Sequence, residues 1–142
     1  MTQIDFYILD GQAGGDRYQL ACRIAEKALA AGHRIVLHSD RDDEQAHIDR
    51  LLWTQRDSSF IPHGRIGRDE AETNPILIGD GAVAVEEHGV LINLGQEVPT
   101  FFGRFERLVE CIDHDADVKQ AGRERFRYYR EHGYLLNTHT VT

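Results

Sequence analysis

The chain has 142 residues, of which 41% are hydrophobic and 28% charged, with a formal net charge of −8. That is one domain's worth of sequence, spanning 1–142, with ordinary globular composition and no need of metal or disulfide staples. The charge argues against a protein that coats nucleic acid along its whole surface, and no run approaches the roughly 18 apolar residues of a membrane span. The opening Met1-Thr2-Gln3-Ile4-Asp5 lacks the basic and apolar regions of a secretory signal, so a cytoplasmic chain is expected. Cys22 and Cys111, each inside an apolar pattern, are expected as buried, reduced thiols.

In chain order, Ile4 to Leu9 is an apolar run of strand formers, closed by Asp10-Gly11 and a glycine-rich turn. From Asp16 to Ala31, Leu20, Ala21, Ile24, Ala28 and Leu29 recur at helical spacing, and Gly32 ends the pattern. Arg34 to His38 reads as a second buried strand. Asp40 is placed to cap a second helix, whose first turn holds Asp42, Asp43 and Glu44 and whose buried stripe is Ile48, Leu51 and Leu52. Two short strands, Ile76–Ile78 and Val90–Leu94, follow, with a loop or an edge hairpin between them. A segment around Phe101–Phe105 leads to a strand at Leu108–Ile112, and the last helix runs from Asp115 to Glu131.

Alternating strands and helices at this spacing predict an α/β fold: a Rossmann-like three-layer arrangement, with a mostly parallel central sheet and helices on both faces. Such a fold names no function by itself. The turn Gly11-Gln12-Ala13-Gly14-Gly15-Asp16 opens a helix, where phosphate can bind, and Asp40 follows the second strand, where a dinucleotide fold keeps its ribose-binding acid. A small nucleotide-binding α/β enzyme working at this turn is therefore the alternative reading. Against it, the spacing is not G-x-G-x-x-G, no G-K-[ST] is present, and Asp10 and Asp16 would repel a phosphate. The eight histidines show no ligand spacing, and Asp113 to Asp117 lacks the glycine and final glutamate of a calcium loop. No metal and no cofactor is expected. Nor do Ser39, Ser58 and Ser59 show a nucleophile's motif.

The last helix is more informative. Between Lys119 and Arg130 stand five basic residues and one acid, so this segment is +4 on a body of −12. At about 100° per residue, Lys119, Arg123, Phe126 and Arg130 fall within about 60° of arc, with Arg127 at the edge. Val118, Ala121, Tyr128 and Tyr129 lie broadly opposite, facing the core, and Arg125 projects inward, where it needs an acid. The stripe fits a solvated basic face, a pocket for an acidic peptide carrying an apolar residue, or a contact with nucleic acid. Phe126, set among cations rather than core residues, favours the peptide. Trp53 lies about 140° around its helix from Ile48, off the buried stripe, and Phe60-Ile61-Pro62-His63 soon follows. Core packing and a protein-binding surface both fit these residues.

Taken together, Phe6-Tyr7-Ile8-Leu9-Asp10, Leu52-Trp53 with Ser59-Phe60-Ile61-Pro62-His63, and Lys119-Gln120-Ala121-Gly122-Arg123-Glu124-Arg125-Phe126 resemble the chi subunits of bacterial DNA polymerase III holoenzyme. The resemblance runs in order over nearly the whole length. It implies a non-catalytic, Rossmann-like accessory protein of the clamp-loader assembly, without bound nucleotide. Its implied partners are the psi subunit and the acidic C-terminal tail of single-stranded-DNA-binding protein (SSB), together with a repair helicase competing with psi. DNA would then be met mainly through SSB, at replication forks on the nucleoid. Lys119, Arg123, Phe126 and Arg127 correspond to tail-binding positions, and Arg130 shares their stripe. Phe126 stands where a tyrosine can occur, so a phenolic hydrogen bond is absent. Trp53, Phe60 and Pro62 match the region that binds psi or the helicase.

Overall fold

A computed structural model describes residues 1–54, 61–68, 73–84 and 86–142. Among the described residues, seven strands lie in one sheet: β1 (Gln3–Leu9), β2 (Ile35–His38), β3 (His63–Arg65), β4 (Ile76–Gly79), β5 (Val90–Asn93), β6 (Arg107–Ile112) and β7 (Leu136–Val141). Their spatial order is β3-β4-β2-β5-β6-β1-β7, and every pairing is parallel. Parallel strands need crossovers, which three helices supply on both sides: α1 (Arg17–Ala30), α2 (Asp42–Thr54) and α3 (Ala116–Glu131). This is the expected three-layer α/β architecture.

The two faces follow from the period of two along each strand. Ile35 and Leu37, Ile76 and Ile78, Val90 and Ile92, and Val109 and Cys111 point to one side, under α1 and α2. Ile4 and Phe6, Val36, Leu77, Leu91, Leu108 and Ile112 point to the other, where Tyr129 of α3 and Phe102 and Phe105 meet them. Strands buried on both faces read as continuous apolar runs, which is why these segments stand out in the sequence. Cys22 and Cys111 are buried and free. Burial pushes the Cys22 thiol up to about 12 and raises Cys111 as well, so both behave as small hydrophobes.

Several expectations need correction. Of the loop or edge hairpin expected between β4 and β5, the described residues show a loop with a 3₁₀ turn at Gly81–Val83, and both strands pair in parallel with β2. Asp40 does not begin α2: the first helical bond runs from the Gln45 amide to the Arg41 carbonyl, one residue later. Ser39 Oγ instead accepts the Arg41 amide, and its hydroxyl donates to the buried Glu44. The two edge strands, β3 and β7, have no counterpart among the predicted elements. In the middle of α3, a Cβ on Gly122 would stand 2.4 Å from Ile112 Cδ1, so the glycine is what lets this helix lie close on β6.

Candidate interaction sites

The N-terminus of α3 is built by the acids that precede it. The Asp115 side chain accepts from the amides of Asp117 and Val118, and Asp113 Oδ1 accepts the Asp115 amide. Asp117 in the first turn and Arg130 in the last both suit the helix dipole.

Arg125 turns inward, as its position on the helix predicts. It is 6% exposed, and its Nε donates to Glu110 Oε1 at 3.0 Å while Nη1 donates to the Gln96 carbonyl at 2.7 Å. Glu110 sits in the middle of β6, fully buried, and its other oxygen accepts the Tyr129 hydroxyl at 2.6 Å. Asn93 of β5 donates to both carboxylate oxygens. Burial raises the Glu110 carboxyl above its ordinary value, and the Arg125 charge with the Tyr129 and Asn93 donors pulls against that rise. Burial, then the neighbouring Glu110, raises the Tyr129 phenol too. This network fixes the rotation of α3 about its axis, and thereby which residues face out.

Those residues are the predicted stripe. Arg123, Arg127 and Arg130 are exposed and Lys119 is half-buried, and none of the four forms an ion pair among the described residues. Glu124, the segment's one acid, accepts from Gln120 instead. Phe126 is not isolated from the core as its place in the stripe implies. It is half-buried, with its ring edge-on to Phe6 at 5.1 Å, and the Arg130 guanidinium lies 5.8 Å above its centroid. Phe126 thus forms the seam between core and cations. Tyr128, expected to face the core, is 38% exposed and stacks on His132 at 3.9 Å. Val118 packs against the core and Ala121 is half-buried.

Trp53 is 58% exposed at the end of α2, off the stripe of Ile48 and Leu52 as predicted. Its ring meets His63 edge-on at 4.7 Å, and Pro62, just before, is exposed. The His63 side chain is 1% exposed, with Nδ1 2.9 Å from the Ile61 carbonyl and Nε2 3.2 Å from Asp49 Oδ1. Phe60, Ser58 and Ser59 lie outside the described residues. Because α2 packs on β3 and β4 while α3 packs on β6 and β7 from the other face, the Trp53 surface and the basic stripe are well separated.

The glycine-rich turn has a different character. Asp10 Oδ1 accepts the amides of Gln12 and Ala13, and Asp16 caps α1 in a reciprocal box with Gln19. The Arg17 amide goes to Asp113. The amides of Gln12, Ala13, Arg17 and Gln19, among those a phosphate would use, are thus held by the chain's own carboxylates. A cavity of about 590 Å³ opens here, bordered by Asp16, Asp113, Asp115 and Asp117 with Arg17 and Arg125. Both cations are committed elsewhere, Arg17 to Glu44 and the Leu94 carbonyl, Arg125 to Glu110. Asp40 stands apart as well. A dinucleotide fold needs its second strand beside the first, whereas here β5 and β6 lie between β1 and β2.

Known proteins similar to this chain point to one family. The family model described as "DNA polymerase III chi subunit, HolC" matches residues 1–137. A DNA polymerase III subunit chi from Pseudomonas aeruginosa is 37% identical over 141 residues, covering 99% of this chain and 98% of that protein. The chi subunit of Escherichia coli is 28% identical over 145 residues, covering 99% of each, and that of Haemophilus influenzae 28% over 137 residues, covering 96% and 95%. The chain belongs to the chi subunit family of DNA polymerase III, an accessory component of the replicative holoenzyme.

Proposed function

We propose that this chi subunit is a non-catalytic bridging adaptor of the clamp-loader assembly. The outer face of α3 holds the acidic C-terminal tail of SSB, and the Trp53–Pro62 surface, with Phe60, binds psi or a repair helicase that competes with it. The observation that supports this reading best is that Lys119, Arg123, Arg127 and Arg130 of α3 form no ion pair among the described residues, with Arg130 lying over the half-buried Phe126 ring. Acidic residues of a tail would pair with the arginines while an apolar side chain lies on the open part of the Phe126 ring. The separation of the two surfaces supports simultaneous engagement, which an adaptor requires.

The test is fluorescence anisotropy of a labelled SSB C-terminal peptide, titrated with the wild type and with Arg123→Ala. A direct charge-assisted contact predicts a loss of about 1.5–3 kcal/mol in the variant. Raising salt should weaken wild-type binding in parallel, since Arg123, Arg127 and Arg130 are exposed. Equal affinity in both proteins at all salt concentrations would remove the tail from this face. Psi binding is read separately, with Trp53→Ala: it should fail there and persist in Arg123→Ala.

A further inference from the structure

A second basic groove lies on the opposite side of the sheet. α1 packs over β2, β5 and β6, so the β1–β7 end of that face drops away beside the helix and leaves a groove of about 260 Å³. Its base is apolar, made by Leu20, Ile24 and Ala28 of α1 with Tyr7 and Val141 of the sheet. Arg23 and Lys27 stand one helical turn apart on its rim, both exposed, and neither forms an ion pair among the described residues. Arg107 closes one end, but its charge is matched: Nε donates to Asp5 at 2.7 Å and Nη2 to the Tyr7 hydroxyl at 2.6 Å. Asp5 also bonds His139, whose ring stacks on Tyr7 at 4.5 Å, so the sheet side of the groove is held rigid. Glu26 does not line this groove, but it borders a neighbouring concavity together with Arg23, Lys27 and Ala30.

Two unpaired cations above an aliphatic base select their ligand by chemistry. A phosphodiester chain would satisfy the cations and leave the apolar base empty. A purely apolar segment would leave the cations unused. We propose that this groove between α1 and β1 is a second peptide-docking site, taking an acidic segment whose large apolar side chain lies on Leu20, Ile24 and Tyr7 while its carboxylates pair with Arg23 and Lys27. The site is independent of the α3 stripe and on the other face of the sheet, so a partner with two acidic segments could engage both with an avidity neither groove provides alone.

The experiment follows backbone amide shifts of the isotope-labelled full chain during titration with two probes. One is a peptide of aspartates ending in leucine and phenylalanine with a blocked C-terminus; the other is an oligo-dT of matched charge. Saturable shifts are expected at Arg23, Lys27 and Val141 with the peptide, and they persist in the Arg123→Glu/Arg127→Glu variant. In Arg23→Glu/Lys27→Glu, whose exposed positions leave the fold intact, affinity read at Val141 falls about tenfold or more. The proposal is overturned if peptide shifts are confined to α3, or if the α1 variant binds as well as the wild type. It also fails if serines in place of the leucine and phenylalanine leave affinity unchanged, or if oligo-dT shifts the same amides as tightly.

Discussion

Two faces of one helix use the same residue type in opposite ways. Arg125 is buried, with Glu110 and the Gln96 carbonyl as fixed partners, whereas Arg123 and Arg127, two positions away on either side, are exposed and unpaired. Both arrangements are basic, but only the inner one specifies the fold. A buried pair recovers its desolvation cost only while every partner is in place, so deleting one member leaves a stranded charge. An exposed guanidinium has no such debt to the structure and is available to a ligand. The rigid inner network also aims the outer cations, since a helix free to rotate would present a different stripe.

The sharpest way to break this comparison is Arg125→Ala. It should destabilise the protein by about 3–5 kcal/mol, because Glu110 would remain buried without its cation. Arg123→Ala should stay within about 0.5 kcal/mol of the wild type. Urea unfolding of the two variants makes the measurement, and equal midpoints would mean that the two faces do not differ as argued. Adding Glu110→Gln to Arg125→Ala should recover part of the loss, since the stranded charge is then gone.

Phe126→Ala lies between the faces and should touch both properties. Complete burial of a phenylalanine contributes roughly 1.5–3 kcal/mol, and this ring is half-buried, so a stability loss of about 1–2 kcal/mol is expected. Affinity for the SSB peptide should fall in the same variant. A loss of stability with full affinity would assign Phe126 to the core alone. Gly122→Ala has a smaller and more balanced effect. The added methyl must displace Ile112 Cδ1, at a typical overpacking cost of about 1–3 kcal/mol, while helix propensity returns about 1. The net is a loss of about 1 kcal/mol, which Ile112→Val should relieve by removing the atom in the way.

What the sequence made legible follows the same division. β1, β2, β4, β5 and β6 are readable because strands buried on both sides need continuous apolar runs. β3 is only His63-Gly64-Arg65, and β7, Leu136-Asn137-Thr138-His139-Thr140-Val141, is exposed along its middle. Edge strands have no such compositional demand, so neither stands out in the sequence. Helical periodicity placed Arg125 inward and the cations outward, and exposed Trp53 off its helix's buried stripe. It could not show that Phe126 leans on Phe6, because that contact joins residues far apart in the chain. The partner of Arg125 did leave a trace: Glu110 is a lone acid inside Leu108-Val109-Glu110-Cys111-Ile112, a place where a carboxylate must be paired. The α1 groove left none, since its floor requires knowing where β7 lies.

The smallest predicted effect concerns acid, and it tests whether the carboxyl end of the sheet is as settled as the inner face of α3. His38, at the end of β2, is 8% exposed; its Nδ1 accepts the Gly81 amide at 2.9 Å, and its ring meets Phe101 edge-on. Burial holds its pKa below the ordinary 6.5 despite the nearby Asp80 and Asp40 charges. The unfolded chain therefore binds this proton at a pH where the folded chain does not, and stability rises with pH through that window. Acidification from 6.5 toward the lower folded value should progressively remove the contribution, because a protonated Nδ1 can no longer accept from Gly81. In His38→Asn the side-chain oxygen can replace Nδ1 as acceptor and does not titrate. The fall in Tm between about pH 7.5 and about pH 5.5 should accordingly be shallower in the variant than in the wild type. Parallel curves would place the acid sensitivity of this window on groups other than His38, and not on Asp5. There burial is outweighed by the His139 and Arg107 contacts, which keep the carboxyl below 3.8, so its contribution is lost only at lower pH.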